Sequence, residues 1–380
     1  MNISRLHLPI RFINGPGSLS LLGKEVARIG KTALLVTYAE TMRSLGVLDK
    51  VIQDLETNGV RTIIFDKVDP NPRISTIDEG ARIARENNVQ VVIGLGGGSA
   101  MDAAKCIALA GSGTDSIWAH YEGKAVSKGK VPAIVLVPTL AASGSESNST
   151  AVFTNWDTHE KVLLVKGSLF PAVSIIDPAL TLTLPAKITA QGGFDIFCHL
   201  VETYVTADEP NLINDSLRES CMRTVVESLP AVLDKLDDLE HRYRLSWAST
   251  IAGSQLNWLG GGGGIMTLHG LEHPLSGEYD LVHADGLAAL LIEWLRFTLP
   301  VRQDRMKMLG ERVFGEPDGI AATEKWLQKI GMRVRLRDLG VKQSDFDKLV
   351  DNTMKTGYWV QLHPRPFDNQ SIKALFEKSF

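Results

Sequence analysis

Between residues 32 and 176 the chain alternates short runs of β-branched and aliphatic residues with longer stretches whose apolar residues fall three and four apart, and after Pro185 the alternation stops. Strands alternating with helices predict a parallel sheet covered by helices. The expected strands are 32–37, 62–65, 89–95, 133–138 and 173–176, with crossover helices at 42–58 and 75–87. Beyond Pro185 only helical patterns follow, at 188–207, 214–236, 239–257 and 287–298, and these predict an all-helical second part. The expected organisation is an α/β domain over residues 1–186 and an all-α domain over 187–380. A glycine run at 260–264 cannot be a stable helix interior and reads as a linker rather than a hinge.

Several function classes fall away on charge and composition. Hydrophobic residues make up 44% and charged residues 22%, the profile of a globular enzyme with a substantial core. A formal net charge of -4 without a basic run gives no reason to expect nucleic acid or an anionic membrane surface as partner. No apolar stretch approaches the roughly 20 residues of a membrane helix, and the first residues lack a secretory pattern, so a cytoplasmic protein is expected. Three scattered cysteines with no C-x-x-C pair read as reduced thiols.

The expected strand 89–95 runs directly into Gly96, Gly97, Gly98 and Ser99, and then into Ala100-Met101-Asp102-Ala103-Ala104-Lys105, which favours helix. Strand, glycine turn and helix start together make an anion-binding geometry: unpaired N–H groups and the positive end of the helix dipole face the same point. A pyrophosphate fits that place. The turn follows the third strand and lacks the third glycine of the usual dinucleotide fingerprint, so it is not an ordinary Rossmann motif.

A second constellation lies in the helical half. Asp195 and His199 are four residues apart, so a helix puts carboxylate and imidazole on one face, where they can chelate. His269 and His273 repeat that spacing, and His283 follows ten residues later. Nitrogen and oxygen donors of this kind suit zinc, iron or a similar divalent ion rather than calcium. Spacing alone does not say which of the three later histidines are ligands.

Taken together these segments resemble the iron-containing, or group III, alcohol dehydrogenase family, nearly end to end. Gly96–Lys105 is similar to that family's cofactor loop, Asp69-Pro70-Asn71-Pro72 to the loop before it, and Pro138–Glu146 to a second cofactor-facing segment. Asp195-x-x-x-His199-x-x-Glu202 and His269-x-x-x-His273 with His283 are similar to its two metal signatures. The resemblance implies a Rossmann-like α/β domain followed by an all-α domain, the architecture shared with dehydroquinate synthase. It implies Asp195, His199, His269 and His283 as metal ligands, iron ahead of zinc, and His273 as the catalytic histidine assisting proton transfer. For the dinucleotide it implies Tyr38, Asn71, Gly97, Gly98, Ser99, Asp102, Thr139, Leu140, Ser145 and Lys161. His283-Ala284-Asp285-Gly286 looks most like the butanol dehydrogenase branch. Tyr38 stands where NAD-preferring members tend to carry an aspartate, so NADP is expected ahead of NAD.

The implied reaction is reversible hydride transfer between a small alcohol and nicotinamide, with the metal polarising the substrate oxygen and His273, at an ordinary imidazole pKa near ~6.5, relaying the proton. A homodimer or larger homo-oligomer is implied by the family alone. A lyase resembling dehydroquinate synthase would need a basic cluster near residues 195–285, and none is evident there. A glycerol dehydrogenase-like enzyme usually lacks one of these histidines. A non-catalytic dinucleotide-binding protein would have little reason to keep buried histidines.

Overall fold

A computed structural model describes residues 5–38, 40–125, 129–259 and 264–380. Its chain divides into two compact units. One holds Leu8–Thr158 and Leu163–Thr183; the other holds Leu184–Phe380, with His159–Val162 and the N-terminal residues up to His7.

The first unit carries a six-stranded sheet whose neighbouring strands all pair in parallel. Its elements in chain order are β1 (Arg11–Asn14), α1 (Leu22–Ile29), β2 (Thr32–Val36), α2 (Thr41–Ser44), α3 (Val47–Thr57), β3 (Arg61–Phe65), α4 (Ile74–Glu86), β4 (Val91–Gly96), α5 (Gly98–Ala110), α6 (Ile117–Tyr121) and β5 (Ala133–Pro138). Then follow β6 (Thr150–Asn155) and β7 (Glu160–Val165), which form a separate two-stranded sheet and of which β7 up to Val162 belongs to the other unit, and β8 (Val173–Ile176); the strand order of the large sheet is β1-β8-β5-β4-β2-β3. The five strands expected from sequence are β2, β3, β4, β5 and β8. β4 is buried throughout, as a central parallel strand covered on both faces must be. Val91, Ile93 and Leu95 on one side of it pack into a cluster with Leu35, Val51, Leu55, Val135 and Ile175.

The helix expected at 42–58 is broken. Gly46 sits at φ 65, a left-handed conformation that ends α2 and re-aims the chain into α3. β1, β6 and β7 were not expected. β1 is four residues long, bears the exposed Arg11 and finds its partner β8 some 160 residues later, so nothing local marks it.

The second unit is helical: α7 (Ala186–Thr206), α8 (Leu212–Asp234), α9 (Leu239–Gly253), α10 (Thr267–Tyr279), α11 (His283–Thr298), α12 (Gln303–Leu309), α13 (Gly319–Lys329), α14 (Phe346–Thr356) and α15 (Asn369–Ser379). α7 is its spine, buried without a break from Thr189 to Cys198 and again from Leu200 to Thr206. Gly193 lets α8 come close, because a Cβ there would stand 2.6 Å from a methyl of Leu229. The expected helix at 239–257 stops at Gly253, and the one expected from 287 begins at His283. Of the glycine run only Gly264 is described; residues 260–263, and with them the linker reading, lie outside the described residues. Among the described residues no helix is long and apolar enough to cross a membrane. All three cysteines are buried and free.

One buried histidine in this unit has a measurable consequence. His363 is 2% exposed. Its Nδ1 accepts from the Arg365 N–H at 3.0 Å, and its Nε2 lies 3.1 Å from the Thr298 hydroxyl. Burial outweighs the Arg365 carbonyl contact and pulls its pKa down to about 4. The unfolded chain takes up this proton below about pH 6.5 and the folded chain does not. The stability His363 confers is therefore complete above pH ~6.5 and fades as pH falls toward about 4, by about 3 kcal/mol in all. Between pH 7 and 4.5, His363→Asn is expected to lose less melting temperature than the unsubstituted protein. Equal losses in the two would show that His363 is not buried as a neutral ring.

Candidate functional site

In the helical unit, α7 carries Asp195 and His199 one turn apart, and α10 carries His269 and His273. Ligand atoms of Asp195, His199 and His269 all lie within 4.8 Å of one another; Asp195 and His269 are buried, and the His199 side chain is 12% exposed. His283, the first residue of α11, stands beside this group with its ring centroid 5.0 Å from that of His269. It is not in the tight cluster, and its side chain is 28% exposed. The structure thus gathers three of the four expected ligands tightly and brings the fourth alongside.

The three histidines share one arrangement. His199 donates from Nδ1 to the carbonyl oxygen of Asp195 at 2.8 Å. Nδ1 of His269 meets the Glu202 carboxylate, and Nδ1 of His283 meets that of Glu272. Each ring is therefore held in the tautomer that leaves Nε2 with its lone pair free, the second-sphere arrangement that orients metal-binding histidines. Nε2 of His269 and Oδ1 of Asp195 are both buried and without a hydrogen-bond partner among the described residues. They lie 3.8 Å apart, too far to hydrogen-bond each other. Orphaned buried atoms of this kind are costly unless something satisfies them. A divalent cation does so, and the mixed nitrogen and oxygen donor set suits it.

From the sequence, Glu202 stands only as the end of the first metal signature and neither Glu202 nor Glu272 has a role, although each follows a candidate ligand by three residues, on the same helix face. Both are fully buried. Oε2 of Glu202 accepts the N–H of Leu268 at 2.6 Å and of His269 at 3.2 Å, so a carboxylate from α7 caps the start of α10 while its other oxygen holds the His269 ring. Burial raises the pKa of Glu272, but His283, Lys161 and His273 outweigh it and hold the carboxyl well below its usual range. Burial lowers that of His269, yet Glu202 and Asp195 leave it raised. His199 is lowered, chiefly by burial.

His273 is 4% exposed, with its ring centroid 6.1 Å from that of His283 and 5.6 Å from Trp359. Its Nδ1 has no partner among the described residues. An ordinary imidazole pKa was expected. Burial, reinforced by the Lys161 charge, instead pulls it well below 6.5, so the ring is neutral at pH 7. Lys161 belongs to this helical unit, where its Nζ lies 3.8 Å from Glu272.

In the α/β unit the other expected residues gather at the carboxyl ends of β2, β4 and β5. Tyr38 follows β2, Gly97, Gly98 and Ser99 turn from β4 into α5, and Thr139 and Leu140 follow β5, where the Thr139 N–H donates to Gly96 at 3.0 Å. Asp102 and Ser145 are engaged with each other at 2.6 Å, and the second oxygen of Asp102 accepts the Val152 N–H at 2.9 Å. Beneath them Lys105, fully buried, donates to the Ser145 carbonyl and hydroxyl, to Asn148 and to the Thr150 carbonyl at 2.6–2.9 Å. Burial lowers its pKa to about 8. Asn71 lies on the loop after β3, buried and at φ 52.

The family described as iron-containing alcohol dehydrogenase matches residues 9–178, and its C-terminal region, described as Fe-containing alcohol dehydrogenase family, matches residues 189–380. The chain is 32% identical over 393 residues to NADH-dependent butanol dehydrogenase B of Clostridium acetobutylicum, covering 98% of both. It is 31% identical to 1,3-propanediol dehydrogenase of Klebsiella pneumoniae, covering 96% of both. The crystal structure of NADH-dependent butanol dehydrogenase A from Thermotoga maritima superposes with a TM-score of 0.93 at 30% identity, over 100% of this chain and 99% of that one. The butanol dehydrogenases are named for NADH, so the expected order of NADP ahead of NAD finds no support in them. With both halves of the chain matched and the fold shared from end to end, this protein belongs to the iron-containing alcohol dehydrogenase family.

Proposed function

We propose that this protein is an NADH-linked, metal-dependent alcohol dehydrogenase that interconverts a small primary alcohol or diol with its aldehyde. The observation that carries this is the buried cluster of Asp195, His199 and His269 with two orphaned ligand atoms, flanked by His283. These four residues hold a divalent ion, iron ahead of zinc. When bound, the ion supplies Lewis acidity toward the substrate oxygen, and the nicotinamide gives or takes the hydride. The substrate class and the choice of NADH follow the butanol and propanediol dehydrogenase relatives.

The chain's own part is to orient ligands and to move one proton. Glu202 and Glu272 fix the His269 and His283 rings. His273, neutral because it is buried, offers Nδ1 to the alcohol proton, and Lys161 disfavours a lasting imidazolium there. Gly97, Gly98 and Ser99 present the α5 N-terminus to the pyrophosphate. Asn71, Thr139 and Leu140 border the dinucleotide. Asp102 and Ser145, supported by Lys105, brace the loop from beneath.

Protein purified without oxygen is expected to oxidise NADH with propanal or butanal, to lose that activity to a chelator and to regain it with Fe2+. No turnover with any aldehyde after metal reconstitution would sink the reading. His273→Ala is expected to lower turnover about a hundredfold or more while metal content is unchanged. Loss of metal in that variant would make His273 a ligand instead.

A further inference from the structure

The start of α5 carries a charge of the wrong sign for an anion. Asp102 lies one turn into the helix, four residues after Gly98 and so about 6 Å along the axis. A carboxylate there repels an anion at the glycine turn, against the attraction of the helix dipole. Both of its oxygens are engaged, one by the Ser145 hydroxyl at 2.6 Å and the other by the Val152 N–H at 2.9 Å. Neutral donors of this kind favour the ionised carboxylate and leave its charge in place.

A charge that can offset it stands behind Ser145. Lys105, three residues after Asp102 on α5, is 0% exposed. Every atom its ammonium donates to is neutral: the carbonyl oxygens of Ser145 and Thr150 at 2.6 and 2.8 Å, the Ser145 hydroxyl oxygen at 2.8 Å and Oδ1 of Asn148 at 2.9 Å. Even with its pKa lowered to about 8 by burial, the group is charged at pH 7. Taking an ammonium out of water with no carboxylate against it is costly, and a neutral donor would tie α5 to residues 145–150 at less cost. The Ser145 hydroxyl gives its proton to Asp102, so its oxygen is left to accept from Lys105. Ammonium, hydroxyl and carboxylate thus form one chain of donation, in which each bond polarises the next. The lysine also faces the buried Glu146 through space.

We propose that Lys105 is a positioning residue of the cofactor loop, whose charge, relayed through Ser145, offsets Asp102 and so lets the glycine turn accept a dinucleotide pyrophosphate. Being fully buried, it acts through Ser145 and Asp102 and not by contact with the ligand. The inference rests on the reading of the turn as the pyrophosphate cradle. ADP-ribose is the probe, because it carries the pyrophosphate but no nicotinamide and reports on the loop apart from the metal centre. Its binding to the full chain is read by calorimetry, with a melting curve for each variant.

Lys105→Met keeps the length of the side chain and removes the charge; it should bind ADP-ribose about tenfold more weakly. Adding Asp102→Asn to Lys105→Met should restore the affinity to within about threefold of the unsubstituted protein, since removing both charges leaves no buried one uncompensated. The tie to residues 145–150 stays broken in both, so a lysine that merely braced that segment would show no such recovery. Asp102→Asn alone keeps the lysine and should bind about threefold more tightly. This variant decides the matter if Lys105→Met does not fold. The proposal is overturned if Lys105→Met binds as the unsubstituted protein does, if the double variant binds no better than Lys105→Met, or if Asp102→Asn binds no more tightly. Absence of ADP-ribose binding in the unsubstituted protein is a different failure: it removes the cradle on which the proposal rests.

Discussion

His269→Ala is expected to empty the metal centre and to lower aldehyde reduction by about a thousandfold or more. The ring supplies one of three ligand atoms that stand within 4.8 Å of each other, and its loss leaves Asp195 and His199 on a single helix with no donor facing them from α10. A bound ion contributes several kcal/mol of stabilisation to charge developing on a substrate oxygen, which converts to about three orders of magnitude or more in rate. Elemental analysis alongside NADH oxidation checks both halves of the expectation. Metal retained at one ion per chain would place the site elsewhere. The contrast with His273→Ala, for which activity should fall and metal should stay, makes the division of roles between two histidines one turn apart directly measurable.

Glu202→Gln is expected to be nearly as damaging, although Glu202 is not among the proposed ligands. Its carboxylate accepts from three donors at once: the N–H groups of Leu268 and His269 and the Nδ1–H of His269. An amide of the same shape must point its NH2 group at one of them, so at least one buried donor loses its acceptor, at a cost of about 1–3 kcal/mol. The His269 ring then loses its tautomer and its aim. Metal affinity should drop about 10- to 100-fold, read by competition with a chelator, and the melting temperature of the metal-free protein should drop as well. A variant that melts early yet binds metal normally would make Glu202 a helix cap and nothing more. Glu272 stands in the same relation to His283, but that ring is more exposed and its loss should cost less.

The parts of the structure that could be read from the chain are those in which neighbours in sequence do the physical work. β4 is legible because a strand buried on both faces must be continuously apolar, and the turn after it because a helix start that faces an anion needs glycine. Asp195 and His199 are legible because a helical turn puts residues four apart together. By contrast α10 carries Pro274 in its interior and is introduced by glycines, so its helical character is hidden locally; it is held in place by Glu202 reaching its first turn from α7. The break at Gly46 is likewise invisible to apolar spacing, which runs on through it.

The sequence by itself determined the succession of a parallel-sheet unit and a helical unit, the phosphate-type turn, one chelating pair and, through its resemblance, the family. Tertiary structure alone decided what each of those groups faces. It turned Asp102 and Ser145 toward each other, set Lys161 against Glu272, made His273 neutral by burying it beside a lysine, and laid the Tyr38 ring over Gly96. The physical reason is common to all four. Hydrogen-bond partners, burial and the resulting pKa depend on atoms brought together from residues far apart in the chain, 43 apart for Asp102 and Ser145, and local spacing carries no record of them.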